Sequence, residues 1–149
     1  MTDLNESAQI TIDAPASVIF AILSDPRQHS RIDGSGTVGT STSGPERLEL
    51  GSEFGMSMKM GAPYRIKNKV VEYEPDALIA WRHLGVHRWR YELTPTTTGG
   101  TQVVETWDLS AYGSLGRKVL HGLFGKKTAA ALSKTLAKLK AAAEADAAA

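Results

Sequence analysis

Five polar side chains fall where the surrounding pattern turns them away from water: Asn68, Tyr91, Glu105 and, close to a loop, His83 and His87. A buried amide or carboxyl must find hydrogen bonds or cost several kcal/mol. A bound molecule or water supplies such partners where a packed core does not. Asn68 and Glu105 are therefore candidates for fixing the polar end of a bound molecule, the alternative being bonds to the backbone or to each other. Tyr91 is either a third such group or a core aromatic whose hydroxyl reaches the rim. His83 and His87 facing one another, with Glu105 nearby, would make an acid/base pair. No definite third ligand joins them, so no metal is expected. His29 and His121 have no partner by spacing and read as surface residues.

These groups sit among soft apolar ones. Phe54, Met56, Met58, Tyr64, Trp81, Trp89 and Trp107 share their side of the chain's strands, and Met60 continues the methionine row. Methionine adapts to irregular shapes, and with the aromatics it forms the kind of lining apolar ligands need. Ordinary core filling is the competing account. Other chemistries lack their residues. There is no cysteine, hence no disulfide or thiolate. A Walker loop, a dinucleotide fingerprint and a Gly-x-Ser-x-Gly elbow are absent, and no cofactor is expected. Net charge is +1, although residues 114–149 carry seven Lys/Arg against two Asp/Glu and residues 1–113 carry ten against fourteen. Arg65, Lys67, Lys69, Arg82, Arg88 and Arg90 share a basic face with no interleaved aromatics, so no nucleic acid partner is expected. The N-terminus is polar and acidic, and no apolar run approaches ~18 residues. The expectation is a cytoplasmic protein without stable membrane insertion, monomeric or homodimeric.

The elements that hold these residues follow from periodicity. Gln9 to Asp13 alternates as a strand; Pro15 suits the first turn of a helix carrying Val18, Ile19, Ile22 and Leu23, which ends by Asp25-Pro26. Arg27 to Arg31 form a second short helix, and Thr37 to Ser43 a weak strand. Five period-two segments follow: Phe54–Met60, Tyr64–Val70, Ile79–His83, His87–Leu93 and Val103–Leu109. Such alternation means antiparallel strands with one sheltered face. If Trp81 and Trp89 are both sheltered they stand opposite each other, as do Ile79 and Tyr91. That parity allows a loop of three residues around Gly85, or one longer by two. From Ser114, a plausible N-cap, to about Glu144 the period is helical, with Leu120, Leu123, Phe124, Thr128, Leu132, Leu136 and Leu139 in one stripe. That helix runs ~45 Å at 1.5 Å per residue, enough to cross a sheet.

The order of strand, two short helices, about six strands and a long helix resembles the START/Bet v1-like (SRPBCC) superfamily, in particular its bacterial polyketide cyclase/dehydrase-like branch. The residues that carry the resemblance are Ile10-Thr11-Ile12-Asp13-Ala14-Pro15, Val18-Ile19-Phe20, Leu23-Ser24-Asp25-Pro26, Gly51 to Phe54, Ile79-Ala80-Trp81-Arg82, and Gly100-Thr101 with Val103 and Glu105. The resemblance covers nearly the whole chain. It implies an α+β helix-grip fold: a curved antiparallel β-sheet wrapped around a long C-terminal α-helix, with two short helices after the first strand. One domain would span residues 1–149, with 1–6 and 145–149 frayed. It further implies a small hydrophobic ligand, lipid-like or polycyclic, held between sheet and helix. Leu120 and Phe124 would close over it, and Asn68 and Glu105 would fix its polar end. The alternatives are a cyclase/dehydratase using Glu105, His83 or Tyr91, and a ligand-responsive regulatory protein.

Overall fold

A computed structural model describes residues 5–83 and 85–149. The chain opens with β1 (Glu6–Ile12), then α1 (Ala16–Leu23), a 3-10 turn (Pro26–Gln28) and α2 (His29–Ile32). Six strands follow: β2 (Val38–Ser43), β3 (Glu53–Met60), β4 (Ala62–Glu74), β5 (Leu78–Arg82), β6 (Arg88–Pro95) and β7 (Thr101–Asp108), before α3 (Ser114–Ala148). They form one antiparallel sheet in the order β1-β7-β6-β5-β4-β3-β2. This is the helix-grip α+β architecture: an open curved sheet, two short helices after the first strand, and a long C-terminal helix.

The alternation of apolar and charged residues decides which face is sheltered. On β4, Ile66, Asn68 and Val70 are buried while Arg65, Lys67 and Lys69 are exposed. The phase shifts once, between Val70 and Glu72, where β4 bulges against β5. An extra residue on one strand bends it and increases its twist, and the sheet curves there. Gly61 turns the β3–β4 hairpin with φ of 75°, a left-handed conformation glycine adopts without steric cost. Across β5 and β6, Trp81 stands opposite Trp89 and Ile79 opposite Tyr91. The strands end at Arg82 and resume at Arg88, so the connection is the longer one that parity permits.

The core lies on the concave side, where Ile12, Ile19, Phe20, Leu23, Phe54, Met56, Val70, Ile79, Leu93 and Val103 pack with Leu136, Leu139 and Ala143 of α3. Several local expectations need correction. Gly113, not Ser114, is the N-cap of α3; its extended backbone delivers the chain so that Ser114 becomes the first helical residue. The helix continues to Ala148 instead of stopping near Glu144, as alanine, the best helix former, sustains it. Met60, beside the hairpin turn, is exposed. The helical stripe is buried only from Gly125 onward, through Thr128, Leu132, Thr135, Leu136 and Leu139. Leu123 and Phe124 face water at 70% and 45% exposure. Phe124 shares a helix face with the buried Thr135 and Ala142, eleven and eighteen residues on, so its exposure belongs to the end of α3 it sits on, where no residue before Gly125 is buried.

Candidate functional site

Glu105 and Tyr91 stand opposite one another on β7 and β6, and each is 4% exposed. Ala8 of β1 flanks Glu105 on the other side, so no basic group neighbours it within the sheet. The Tyr91 hydroxyl is hydrogen-bonded to the Glu105 carboxyl. Burial pushes the Glu105 pKa up to about 8; the Tyr91 bond opposes this, and the negative charge of Asp33 adds to it. Burial, then Glu105 itself, raises Tyr91 well above the usual phenol value. At neutral pH Glu105 is therefore a protonated carboxylic acid, able to donate as well as accept. Its Oε1 is buried without a hydrogen-bond partner.

Toward the β5–β6 loop, one register step along the same face, Trp89 of β6 faces Trp107 of β7. Their rings stack with centroids 6.0 Å apart. His87 lies edge-on to both, at 6.0 and 6.2 Å, and edge-on to His83 at 5.7 Å. The expected facing of His83 and His87 is thus present, but Glu105 bonds Tyr91 instead of joining them. Tyr112, from the segment before α3, stacks on His87; its hydroxyl lies 2.9 Å from His87 Nδ1 and accepts the Val86 N–H at 3.2 Å. Burial lowers the pKa of both histidines, that of His83 to about 4 with the nearby His87 contributing, so the imidazoles are neutral at pH 7. Three ring nitrogens in this cage, Trp89 Nε1, Trp107 Nε1 and His83 Nδ1, are buried and unpartnered, as is Arg117 Nε on α3.

The other flank of the concave face is apolar and aromatic. His29, expected at the surface, is 7% exposed and stacks on Trp81 at 4.7 Å while meeting Phe54 edge-on at 5.3 Å. Its Nε2 is 2.9 Å from the Leu23 carbonyl, and burial lowers its pKa. A four-residue helix offers no periodicity from which this could be read. Phe54, Met56, Met58 and Tyr91 belong to the core cluster, with Trp81 and Tyr64 packed against it. Asn68 is buried opposite Phe54 on β4, three strands from Glu105, which corresponds to roughly 14 Å. The two polar candidates therefore lie apart and do not bond each other. Leu120 is half-buried, and Phe124 does not cover the face. Asp33, Tyr112 and Arg117 are not among the residues the sequence singles out; Asp33 and Tyr112 lie in connecting segments, and Arg117 lies on the first turns of α3, before the apolar stripe begins at Leu120.

The convex face is locked by ions. Arg90 bonds Glu72 and Asp108 at 2.8 and 2.7 Å, and Arg88 bonds Glu72 at 2.8 Å. Arg88, Arg90 and Asp108 line a surface cleft of about 260 Å³, and a second of about 360 Å³ lies around Asp25, Arg27, Arg47 and Asp146. Neither opens onto the concave face. His121, half-buried, reaches Glu6 at 2.8 Å, which corrects its reading as an unpartnered surface residue. Among the described residues, no group of three or more His, Asp or Glu is placed to hold a metal, and no helix is long and apolar enough to cross a membrane.

The profile of the family described as polyketide cyclase / dehydrase and lipid transport matches residues 4–144. An uncharacterized protein of Mycobacterium tuberculosis, Rv0088, is 42% identical over 137 residues, covering 89% of this chain and 61% of that protein. The chain thus spans about three-fifths of the length of that relative. Among solved structures, protein NE0264 from Nitrosomonas europaea superposes with a TM-score of 0.73 at 16% identity, covering 100% of this chain and 99% of that one. A protein from Arthrobacter aurescens gives 0.74 at 16% identity, covering 96% and 87%. At these identities the structures speak to the fold alone.

Proposed function

The chain belongs to the polyketide cyclase / dehydrase and lipid transport family, and on that premise we propose that it binds and carries a small hydrophobic molecule, lipid-like or polycyclic, between its sheet and α3. The observation that carries this reading is Glu105, a protonated carboxylic acid inside an apolar face with one oxygen unpartnered. Buried polar atoms in folded proteins nearly always have partners, and a bound molecule's polar group supplies the missing one. Phe54, Met56, Met58, Trp81 and Tyr91 offer the body of the ligand a deformable wall. The first ten residues of α3 include no buried residue, which favours access beneath that end of the helix. Burying a few hundred Å² of ligand surface at ~25 cal/mol per Å² gives several kcal/mol before entropic losses, enough for roughly micromolar affinity.

Titration of tryptophan fluorescence with fatty acids, long-chain alcohols, sterols and aromatic polyketides tests this. Saturable one-to-one binding of at least one class is expected; no saturable response from any of them would sink the carrier reading. A second reading has one observation behind it: a carboxyl with a pKa of about 8 is poised for general acid catalysis near neutrality. In a carrier, Glu105→Gln changes affinity a few-fold. In a cyclase or dehydratase it abolishes turnover while binding survives.

A further inference from the structure

The ring cage around His87 holds more unpaired buried nitrogen than packing alone explains. Trp89 Nε1, Trp107 Nε1 and His83 Nδ1 have no partner, and all three rings lie within 6.2 Å of the His87 ring by centroid. Trp107 is itself 4% exposed. The His87 Nδ1 is already paired with the Tyr112 hydroxyl, which also accepts from Val86 N–H. Arg117 Nε, also unpartnered, comes from the turn of α3 that precedes His121. Residues four apart share a helix face, and His121 bonds Glu6, which stands opposite Trp107. Arg117 therefore belongs to the same end of the sheet.

Indole and guanidinium nitrogens only donate. Whatever satisfies them must accept from several directions, which a carboxylate does and an amine cannot; a hydroxyl offers fewer lone pairs and no charge for Arg117. We propose that this cage is a head-group subsite for a carboxylate: the ligand is an apolar acid, its carboxylate held by the indole N–H groups of Trp89 and Trp107 with Arg117 supplying the countercharge, its body running along the face toward Met56 and Phe54. The proposal rests on the hydrophobic-ligand reading and narrows it to one chemical class. Glu105, two residues before Trp107 on the same face, keeps its proton and so does not repel the acid. Glu6, opposite Trp107, is the carboxylate at this end of the sheet and is held by His121 at 2.8 Å; among the described residues no group of three or more His, Asp or Glu is placed to hold a metal.

Matched probes decide it: dodecanoate against 1-dodecanol, and 2-naphthoate against 2-naphthalenemethanol, titrated into the full chain at pH 7.5 with the three indole N–H signals followed by NMR. The acid of at least one pair is expected to bind about tenfold tighter or more than its alcohol. Two indole signals, those lost in Trp89→Phe and Trp107→Phe, should move downfield while that of Trp81 moves little. Trp107→Phe and, separately, Arg117→Met should bring the acid-to-alcohol affinity ratio down toward one. Equal affinity of acid and alcohol, or a preference that survives both variants, overturns the subsite and leaves the carrier reading intact. If no member of either pair binds, and the broader panel also fails, the carrier reading falls and takes the subsite with it. Should Trp107→Phe not fold, the wild-type acid-to-alcohol ratio and indole shifts still decide.

Discussion

Replacing Glu105 with glutamine should make the protein more stable at alkaline pH and leave it nearly unchanged at pH 5. In the folded protein the carboxyl titrates at about 8, against an ordinary value of 4.5. Below 4.5 both states hold the proton and nothing is lost. Between 4.5 and 8 the unfolded chain releases the proton while the folded one keeps it, so stability falls as pH rises, and the loss saturates above 8. The full gap corresponds to roughly 5 kcal/mol, an upper figure that water penetration reduces. His83 works in the opposite direction: titrating at about 4 when folded, it adds stability as pH rises from 4 to its ordinary 6.5. The two effects oppose each other in mild acid, but His83 is common to both proteins and cancels from the difference between them. Urea unfolding of both proteins at pH 5, 6, 7, 8 and 9, followed by tryptophan fluorescence, measures the difference directly. Glutamine cannot ionise, so its curve should lie within about 1 kcal/mol of wild type at pH 5 and several kcal/mol above it at pH 9. Parallel stability profiles across that range would refute the assignment of Glu105 as a neutral acid.

Other expectations follow from packing and charge. His29→Ala removes a ring stacked on Trp81 and leaves the Leu23 carbonyl unpaired, so it should cost roughly 2–4 kcal/mol in urea unfolding at unchanged m; a loss under about 1 kcal/mol would return His29 to the surface role its spacing implied. Gly34→Ala would place a methyl group 2.6 Å from Lys134 Cβ and 2.7 Å from the Ala131 carbonyl, so α2's following loop must lift from α3; about 1–3 kcal/mol should be lost, and a neutral result would mean that loop is free to move. Arg90→Ala leaves Asp108 without its guanidinium and Glu72 with Arg88 alone, and roughly 1–3 kcal/mol of stability should go with it, less at high salt, as thermal unfolding at two ionic strengths would report.

The fold was legible because its elements repeat their signals. Five alternating segments and one long helical stripe are each longer than the noise of any single residue, and parity together with a short loop around Gly85 sets Trp81 opposite Trp89. Alternation also turned Asn68, Tyr91, Glu105 and Trp107 inward correctly. What it could not give was distance across the sheet. Asn68 and Glu105 share a face yet lie on strands that are not neighbours, a matter of strand order and not of period. His29 was misplaced because a single turn of helix carries no period, and its burial depends on Trp81, some fifty residues later. Phe124 reads as inward because it does share a face with the buried Thr135 and Ala142; periodicity gives the face of a helix and not how far along it the covering sheet extends. Tyr112 stacks on His87 from the segment before α3, where no pattern exists to be read.

The most direct test of the central claim, that a small hydrophobic molecule occupies the space between sheet and α3, is native mass spectrometry of the freshly purified protein followed by organic extraction of whatever is bound. A discrete co-purified apolar compound, displaced by the tightest of the titrated probes, is the predicted result. A clean mass of the chain alone, joined by failure to bind fatty acids, sterols or aromatic polyketides, would contradict it and leave the concave face as a filled core.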